Sequence, residues 1–217
     1  MEEDLRAVIS AALAQGIPVK DICFSGNGEP TMSRDFPEAL KRAGEVRASF
    51  GPLSWTKLVL ITNGTFLLEE NLFSLLCDAA RVPCGLEIWL KLDAGTPGWY
   101  KKMSRSALPF EKLIEKMRAF CDKAPVTIQT MLCAVDGEGP PPEEEEAWQK
   151  LVCELSGAGN IRKVQIYGKA RASPEDPKAA PLPIRNLAER ALSLRQALAA
   201  AVQETSQRTT PDVEIYP

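Results

Sequence analysis

The sequence predicts an α/β fold in which parallel β-strands alternate with α-helices. Short apolar runs of strand length recur along the chain, and they alternate with segments whose apolar residues have helical spacing. This order is typical of βαβ units and therefore favours a parallel sheet. The strand-like runs are also almost continuously apolar, as expected for parallel strands that are covered on both faces.

The individual elements can be placed along the chain. Strands are predicted at 21–26, 57–64, 85–95, 126–133 and 163–170, with a short last strand at 212–217. Helices are predicted from apolar residues at helical spacing in the segments 5–13, 36–46, 69–80, 110–120, 148–155 and 187–201. In the third of these segments the predicted apolar face contains Leu72, Leu75, Leu76 and Ala79.

An acidic run follows three consecutive prolines in the sequence PPPEEEE. Prolines are tolerated at the start of a helix, and glutamates in the first turn interact favourably with the helix dipole. Residues 143–146 are therefore predicted to begin a helix and to face solvent, and not to form a metal site or a protein-binding site.

The chain begins with a helix and not with a strand, which is unusual for a βα fold. This order indicates that a first strand and its loop are missing from the sequence. Residues 1–217 are predicted to form a single domain, because no segment has the composition of a linker between two domains.

Composition excludes several kinds of protein. The absence of histidine rules out Ser-His-Asp catalysis, Cys-His catalysis and HExxH zinc sites. The net charge of −3 does not indicate a nucleic-acid partner. No apolar run is long enough to span a membrane, and the acidic N-terminal segment is not a secretion signal. We therefore expect a cytoplasmic protein, with no membrane partner, whose six cysteines remain reduced.

Polar residues and glycines gather where the predicted strands end. In parallel βα folds, sites lie at the carboxyl ends of the strands. The segments concerned are 25–31, 62–65, 91–95 and 167–171, together with Gln129 inside the fourth strand. Each could be an ordinary turn, and Lys91 with Asp93 could be a structural ion pair. Together they suit a small zwitterionic ligand, because a carboxylate beside a glycine turn can bind an ammonium group.

Three motifs carry a resemblance to a known family. The sequence GNGEPT, after the first predicted strand, resembles the GGEP-type motif of the radical S-adenosylmethionine superfamily. The sequences TNGT and KLDAG, the latter followed by WYKKMSR at 99–105, also resemble segments of that superfamily, and the likeness extends from about Asp21 to Arg171. The resemblance implies a partial (β/α)6 TIM-like barrel of parallel strands whose first strand is missing.

The resemblance also implies roles for individual residues. The glycine turn would bind S-adenosylmethionine and contact the amino group of its methionine part, through Gly26, Asn27, Gly28, Glu29 and Pro30. A second set would face the barrel cavity and bind the cofactor or the substrate: Asn63, Lys91, Asp93 and Gln129. Lys91 and Asp93 are the candidate catalytic residues of this set, and Arg171 would approach the same site.

The chain lacks the motif on which the chemistry of that superfamily depends. No CxxxCxxC sequence is present, and the cysteines at 23, 77, 84, 121, 133 and 153 are too widely spaced to replace it. In the superfamily three thiolates hold a [4Fe–4S] cluster that chelates S-adenosylmethionine. We therefore expect the cluster in a presumed full-length protein but not on this chain, for which no metal ligand is predicted.

Three interpretations remain open. The first is a truncated radical SAM enzyme of unknown substrate, which would be inactive as the chain stands. The second is a non-catalytic radical-SAM-like domain that binds a ligand or another subunit. The third is an unrelated βα-barrel enzyme that uses Lys91, Glu29 and Asp93 for proton transfer or Schiff-base chemistry.

Overall fold

The computed structural model describes residues 1–26, 28–53, 55–104, 108–158, 160–171, 176, 178–205 and 210–216. The helices are α1 (Glu2–Ala14), α2 (Phe36–Ser49), α3 (Glu70–Arg81), α4 (Pro97–Ser104), α5 (Phe110–Cys121), α6 (Pro142–Ala158) and α7 (Ile184–Thr205). The strands are β1 (Asp21–Phe24), β2 (Lys57–Thr62), β3 (Leu86–Lys91), β4 (Pro125–Ala134), β5 (Asn160–Gly168), β6 (Ala180–Pro181) and β7 (Asp212–Tyr216). None of the helices within these ranges is long and apolar enough to cross a membrane.

Six of the described strands form a parallel sheet in the order β1-β2-β3-β4-β5-β7, while β6 pairs antiparallel with the end of β4. The α/β class and the parallel sheet predicted from the sequence are confirmed, and the arrangement is consistent with a partial TIM-like barrel. The chain divides into two compact units, Met1–Trp89 and Leu90–Pro217, with the boundary inside β3. The single domain expected from the sequence stays a prediction.

In the first unit, β1 and β2 pair in parallel along the whole length of β1. Helix α1 packs Ile9 against Val46 of α2 and against Leu53. After α1 the chain turns at Gly16, whose φ of +68° is readily adopted only by glycine. The predicted first helix and its termination near Gly16 are thus confirmed.

The apolar face predicted for α3 differs from the observed one. Leu76 is buried as expected, but Leu75 is 38% exposed, and the small residues Cys77 and Ala80 are buried instead. Small side chains allow a helix to pack closely against its neighbours, whereas periodicity analysis gives most weight to the large apolar residues. The prediction of the helix is therefore confirmed, and the prediction of its buried face is wrong in part.

In the second unit, β5 lies between β4 and β7, and α6 and α7 pack against it. Side chains alternate along β4, so that Val126, Ile128 and Leu132 are buried while Thr127 and Gln129 are only half-buried. Both faces of such a strand are expected to be covered, and on β4 one of them is covered only in part, at positions that include Gln129, the residue predicted to face the barrel cavity. One face is apolar and buried, and the other is partly polar and partly accessible.

The acidic run begins α6 as predicted, but not all of it faces solvent. Glu144 is only 3% exposed, whereas its neighbours Glu143 and Glu145 are exposed. The buried carboxylate accepts hydrogen bonds from the Gly95 amide and the Thr96 hydroxyl, which compensate for the water it has lost. Both partners belong to the loop after β3, a contact between distant segments that local charge patterning does not reveal.

Candidate functional site

Glu29 connects the turn after β1 to the end of β2. Its Oε1 accepts hydrogen bonds from the Thr31 amide at 3.2 Å, the Thr31 hydroxyl at 2.7 Å and the Thr62 hydroxyl at 2.7 Å. Its Oε2 accepts from the Asn63 amide at 2.7 Å. The two threonines are buried and Glu29 is partly exposed. The sequence GEPT and the end of β2 therefore fix the orientation of one carboxylate in the first unit.

This carboxylate can still receive a ligand. From the described residues Oε1 accepts three hydrogen bonds, whereas Oε2 accepts one, from Asn63, and has room for a further donor. The side chain of Glu29 is charged and partly accessible, which suits an ammonium group more than a neutral donor. The α-ammonium group of an amino-acid ligand such as S-adenosylmethionine fits this acceptor.

The glycines of the turn border open space. A Cβ atom added at Gly26 or Gly28 would meet no heavy atom within 4 Å, and both residues are exposed. A ligand can thus approach the backbone of the turn at these two positions. Pro30 begins a short 3₁₀ helix, Pro30–Met32, and the predicted site residue Asn27 lies outside the described residues.

Asn63 serves mainly to build the turn after β2. Its Oδ1 accepts hydrogen bonds from the Thr65 amide at 2.9 Å and from the Thr65 hydroxyl. Gly64 has a φ of +85°, and its amide donates to the Thr62 hydroxyl at 3.1 Å. The structure thus brings Asn63 to Glu29 through the backbone amide, while the side-chain oxygen of Asn63 stabilises the turn; its role in binding a cofactor or substrate stays a prediction.

Lys91 and Asp93 form an ion pair in the second unit. Lys91 Nζ lies 3.0 Å from Asp93 Oδ2, and the two side chains are 29% and 17% exposed. Asp93 Oδ1 accepts a hydrogen bond from the Met131 amide at 2.7 Å. The Lys91 Nζ also lies 5.9 Å from the centre of the Tyr167 ring. Asp93 is therefore anchored to β4 and holds the lysine in place.

Electrostatics keeps this lysine charged. The neighbouring Asp93 carboxylate raises the pKa of Lys91 well above its ordinary value, although burial acts in the opposite direction. Burial also raises the pKa of the Tyr167 phenol. At neutral pH Lys91 is therefore an ammonium group, and the phenol of Tyr167 beside it is protonated.

Gln129 lies next to the end of β3, because the Leu92 amide donates to its backbone carbonyl at 3.0 Å. Its Nε2 donates to Gln165 Oε1 at 3.3 Å, and Gln165 is opposite Glu214 in the register of β5 and β7. Glu214 in turn forms an ion pair with Lys163 at 2.6 Å. The glutamine predicted to face a cavity is thus hydrogen-bonded to its neighbour on β5, and a separate ion pair joins β5 to β7.

Tyr167 and Glu144 are not among the site residues predicted from the sequence, although Tyr167 begins the polar segment 167–171 at the end of a predicted strand. Tyr167 is opposite Met131 in the register of β4 and β5, which brings it to the lysine pair. Tyr167 lies two residues after Gln165, and side chains two residues apart on a strand lie on the same face of the sheet. The period of the strand could therefore have placed Tyr167 on the face of Gln165. Arg171 lies at the exposed surface after β5.

The cysteines do not fit an iron–sulfur cluster. Across the described part of the chain, no group of three or more His, Cys, Asp or Glu residues could hold a metal ion. Cys77, Cys121 and Cys133 are buried, whereas Cys23 and Cys84 are exposed. Burial raises the pKa of the Cys121 thiol to about 12.

Comparison with known structures is informative at the level of the fold. The chain is similar to a radical SAM methyltransferase from Sphaerobacter thermophilus, with a TM-score of 0.63 and 18% identity over 100% of this chain and 56% of that chain. It is similar to Streptococcus suis SuiB bound to S-adenosylmethionine, with a TM-score of 0.61 and 12% identity over 100% of this chain and 42% of that chain. It is also similar to TYW1 with a lysine-pyruvate adduct bound, with a TM-score of 0.52 and 16% identity over 90% of this chain and 58% of that chain.

These similarities concern the fold, since the identities are low. The chain spans 42–58% of the length of these proteins. No family model matches the sequence, and no curated protein matches it.

Proposed function

We propose that this chain is the S-adenosylmethionine-binding part of a radical SAM-type enzyme. The observation that carries the proposal is the Glu29 carboxylate, which is fixed by four hydrogen bonds and retains acceptor capacity on Oε2 for an ammonium group. The GNGEPT motif that contains it, and the similarity of the fold to a structure containing S-adenosylmethionine, support the same conclusion.

The Lys91–Asp93 pair would bind the anionic part of the cofactor or of the substrate. Lys91 has three donors, one of which is directed to Asp93, so its ammonium group can also bind a carboxylate or phosphate. Asp93 would keep Lys91 charged and in place. Radical chemistry would be supplied by the cofactor together with a cluster, and the described residues of this chain do not fit such a cluster. The activity proposed for the chain itself is therefore binding.

The proposal can be tested by calorimetry in the absence of iron, with S-adenosylmethionine and with 5′-methylthioadenosine. The second ligand lacks the ammonium and carboxylate groups. We expect Glu29→Gln to weaken S-adenosylmethionine binding by about tenfold or more, because it removes a charged hydrogen-bond acceptor. Binding of 5′-methylthioadenosine should change little, which separates recognition of the ammonium group from damage to the turn.

Glu45→Gln is the matched control, because Glu45 is an exposed glutamate whose ion pair with Lys41, across one turn of α2, is solvent-exposed and contributes little. It should leave both affinities unchanged. If the wild-type chain is folded and binds neither ligand, the proposal is wrong. Equal losses for both ligands in Glu29→Gln would assign Glu29 a purely structural role.

Schiff-base chemistry at Lys91 receives less support. The TYW1 structure contains a lysine-pyruvate adduct, and Lys91 is a partly accessible lysine on a strand. A lysine must lose its proton before it attacks a carbonyl group. Since Asp93 raises the pKa of Lys91, the free amine is scarce at neutral pH.

A further inference from the structure

The loop that follows β3 is attached to the first turn of α6. Glu144 accepts hydrogen bonds there from the Gly95 amide through Oε1 and, at 2.6 Å, from the Thr96 hydroxyl through Oε2. The Thr96 hydroxyl in turn accepts from the Trp99 amide at 3.2 Å, at the start of α4. One buried carboxylate therefore organises both the loop and the beginning of the next helix.

Trp148, one turn further along α6, holds the other end of this loop. Its Nε1 donates to the Leu92 carbonyl at 3.1 Å and lies 3.2 Å from the Thr130 hydroxyl. The Thr130 hydroxyl donates to the same Leu92 carbonyl at 2.8 Å. Helix α6 thus contacts the chain at Leu92 and at Gly95, on both sides of Asp93.

The close approach of α6 to the loop depends on a glycine. A Cβ atom at Gly95 would lie 2.0 Å from the backbone nitrogen of Trp148, so no residue with a side chain fits at this position. Arg190 of α7 packs over the ring of Trp148, and its guanidinium carbon lies 4.8 Å from the ring centre. The contact surface between α6 and the loop is therefore tightly packed as well as hydrogen-bonded.

We propose that Glu144 is a positioning residue for the Lys91–Asp93 pair. It fixes Gly95 and Thr96, and together with Trp148 it determines where the intervening Asp93 presents its carboxylate to Lys91. This inference extends the proposed function, on which it rests only for the identity of the ligand. Glu144 itself is buried and contacts the loop, so it acts on a ligand through Asp93 and Lys91.

The first measurement follows Lys91 directly and needs no ligand. In ¹⁵N-labelled protein the ammonium signal of Lys91 can be assigned by its loss in Lys91→Met, and its pairing with Asp93 should slow its proton exchange enough for detection. We expect Glu144→Gln to broaden or remove this signal. The Gly95 amide and the Thr96 hydroxyl bond to different oxygens of Glu144, and glutamine replaces one of these oxygens with an NH2 group that cannot accept a hydrogen bond. Glu143→Gln is the matched control, since Glu143 is the adjacent exposed glutamate, and it should leave the signal unchanged.

The second measurement is the affinity for S-adenosylmethionine by calorimetry. Glu144→Gln should weaken it by about tenfold, as expected from one lost hydrogen bond to a charged group. If that variant does not fold, Thr96→Val removes only the hydroxyl partner, and Thr96→Ser should restore the wild-type Lys91 signal. A purely structural role for Glu144 would lower the melting temperature of the variants and leave the Lys91 signal as in wild type.

Folded Glu144→Gln and Thr96→Val variants with a wild-type Lys91 signal would overturn the inference. Failure of the wild-type chain to bind S-adenosylmethionine would instead contradict the proposed function, and the Lys91 signal would still decide the role of Glu144. The two failures are therefore distinguishable.

Discussion

Lys91 is an ammonium group between the Asp93 carboxylate and the Tyr167 ring, and its protonation can be linked to stability. Because Asp93 raises the pKa of Lys91 in the folded state, the folded chain retains this proton at a pH where the unfolded chain has lost it. The stabilisation is complete below the ordinary lysine pKa of about 10.4 and is lost as the pH rises through the higher folded value.

We therefore predict that Lys91→Met lowers the free energy of unfolding at neutral pH, and that the difference from wild type shrinks above about pH 10.4. Urea unfolding of both proteins across this range measures the effect. Lys57→Met serves as a control, because Lys57 pairs with Glu87 while more than half exposed, at 54% of its side chain, and such pairs contribute little. A constant difference between wild type and Lys91→Met at all pH values would show that the lysine contributes only through packing.

Single residues also show what local sequence patterns miss. Glu29, Lys91 and Asp93 could be selected from the sequence because they follow strands at the ends where parallel sheets build sites. Glu144 could not, because its burial arises from contact with Gly95 and Thr96, which are distant in sequence. The charge pattern around it is the same for a solvent-facing helix start.

At the level of the element, α7 illustrates how helical periodicity predicts burial. Leu194 of this helix is 0% exposed, whereas Leu192, two residues earlier, is 56% exposed. We predict that Leu194→Ala lowers the free energy of unfolding by about 3 kcal/mol, since it removes buried methyl groups and leaves a cavity. Leu192→Ala, the same change on the exposed face, should alter it by no more than about 0.5 kcal/mol.

Urea unfolding of the two variants separates burial from helix propensity, because both replace leucine with alanine within one helix. Comparable losses in the two would mean that α7 does not bury the face seen here. The same comparison explains the error for α3, where the sequence predicts burial of Leu75 but the small Cys77 and Ala80 are buried instead. Periodicity predicts that a helix has a buried face, and the packing of the helix against its neighbours decides which residues form that face.

For the whole molecule, the order of the elements was enough to predict the α/β class and the parallel sheet, because βαβ connections restrict the possible topologies. Gln129 on the accessible face of β4 could also be selected from the sequence, but the extent to which that face is exposed could not. Thr127 and Gln129 alternate with buried residues there, and an apolar run with a few polar residues does not reveal which face is accessible. The accessibility of this face, on which a binding surface depends, is therefore not predicted by the pattern of apolar residues.

The thiols of this chain are widely separated along the sequence. The sequence has six cysteines and no CxxxCxxC motif. Burial raises the pKa of Cys121, Cys133 and Cys153, and thus disfavours their thiolates at neutral pH when no metal is bound. A [4Fe–4S] cluster needs several thiolates at one point. We therefore predict that anaerobic reconstitution with iron and sulfide does not load this chain with a stoichiometric cluster.

Visible absorbance together with iron and sulfide analysis after gel filtration measures the outcome. Iron bound loosely at the surface should disappear in a Cys23→Ser, Cys84→Ser double variant, because these two cysteines are exposed. Four irons and four sulfides per chain that survive gel filtration and persist in that variant would contradict the prediction. Calorimetry with S-adenosylmethionine on the chain before reconstitution, when no iron is present, would show that this chain recognises the cofactor through its own residues, independently of a cluster.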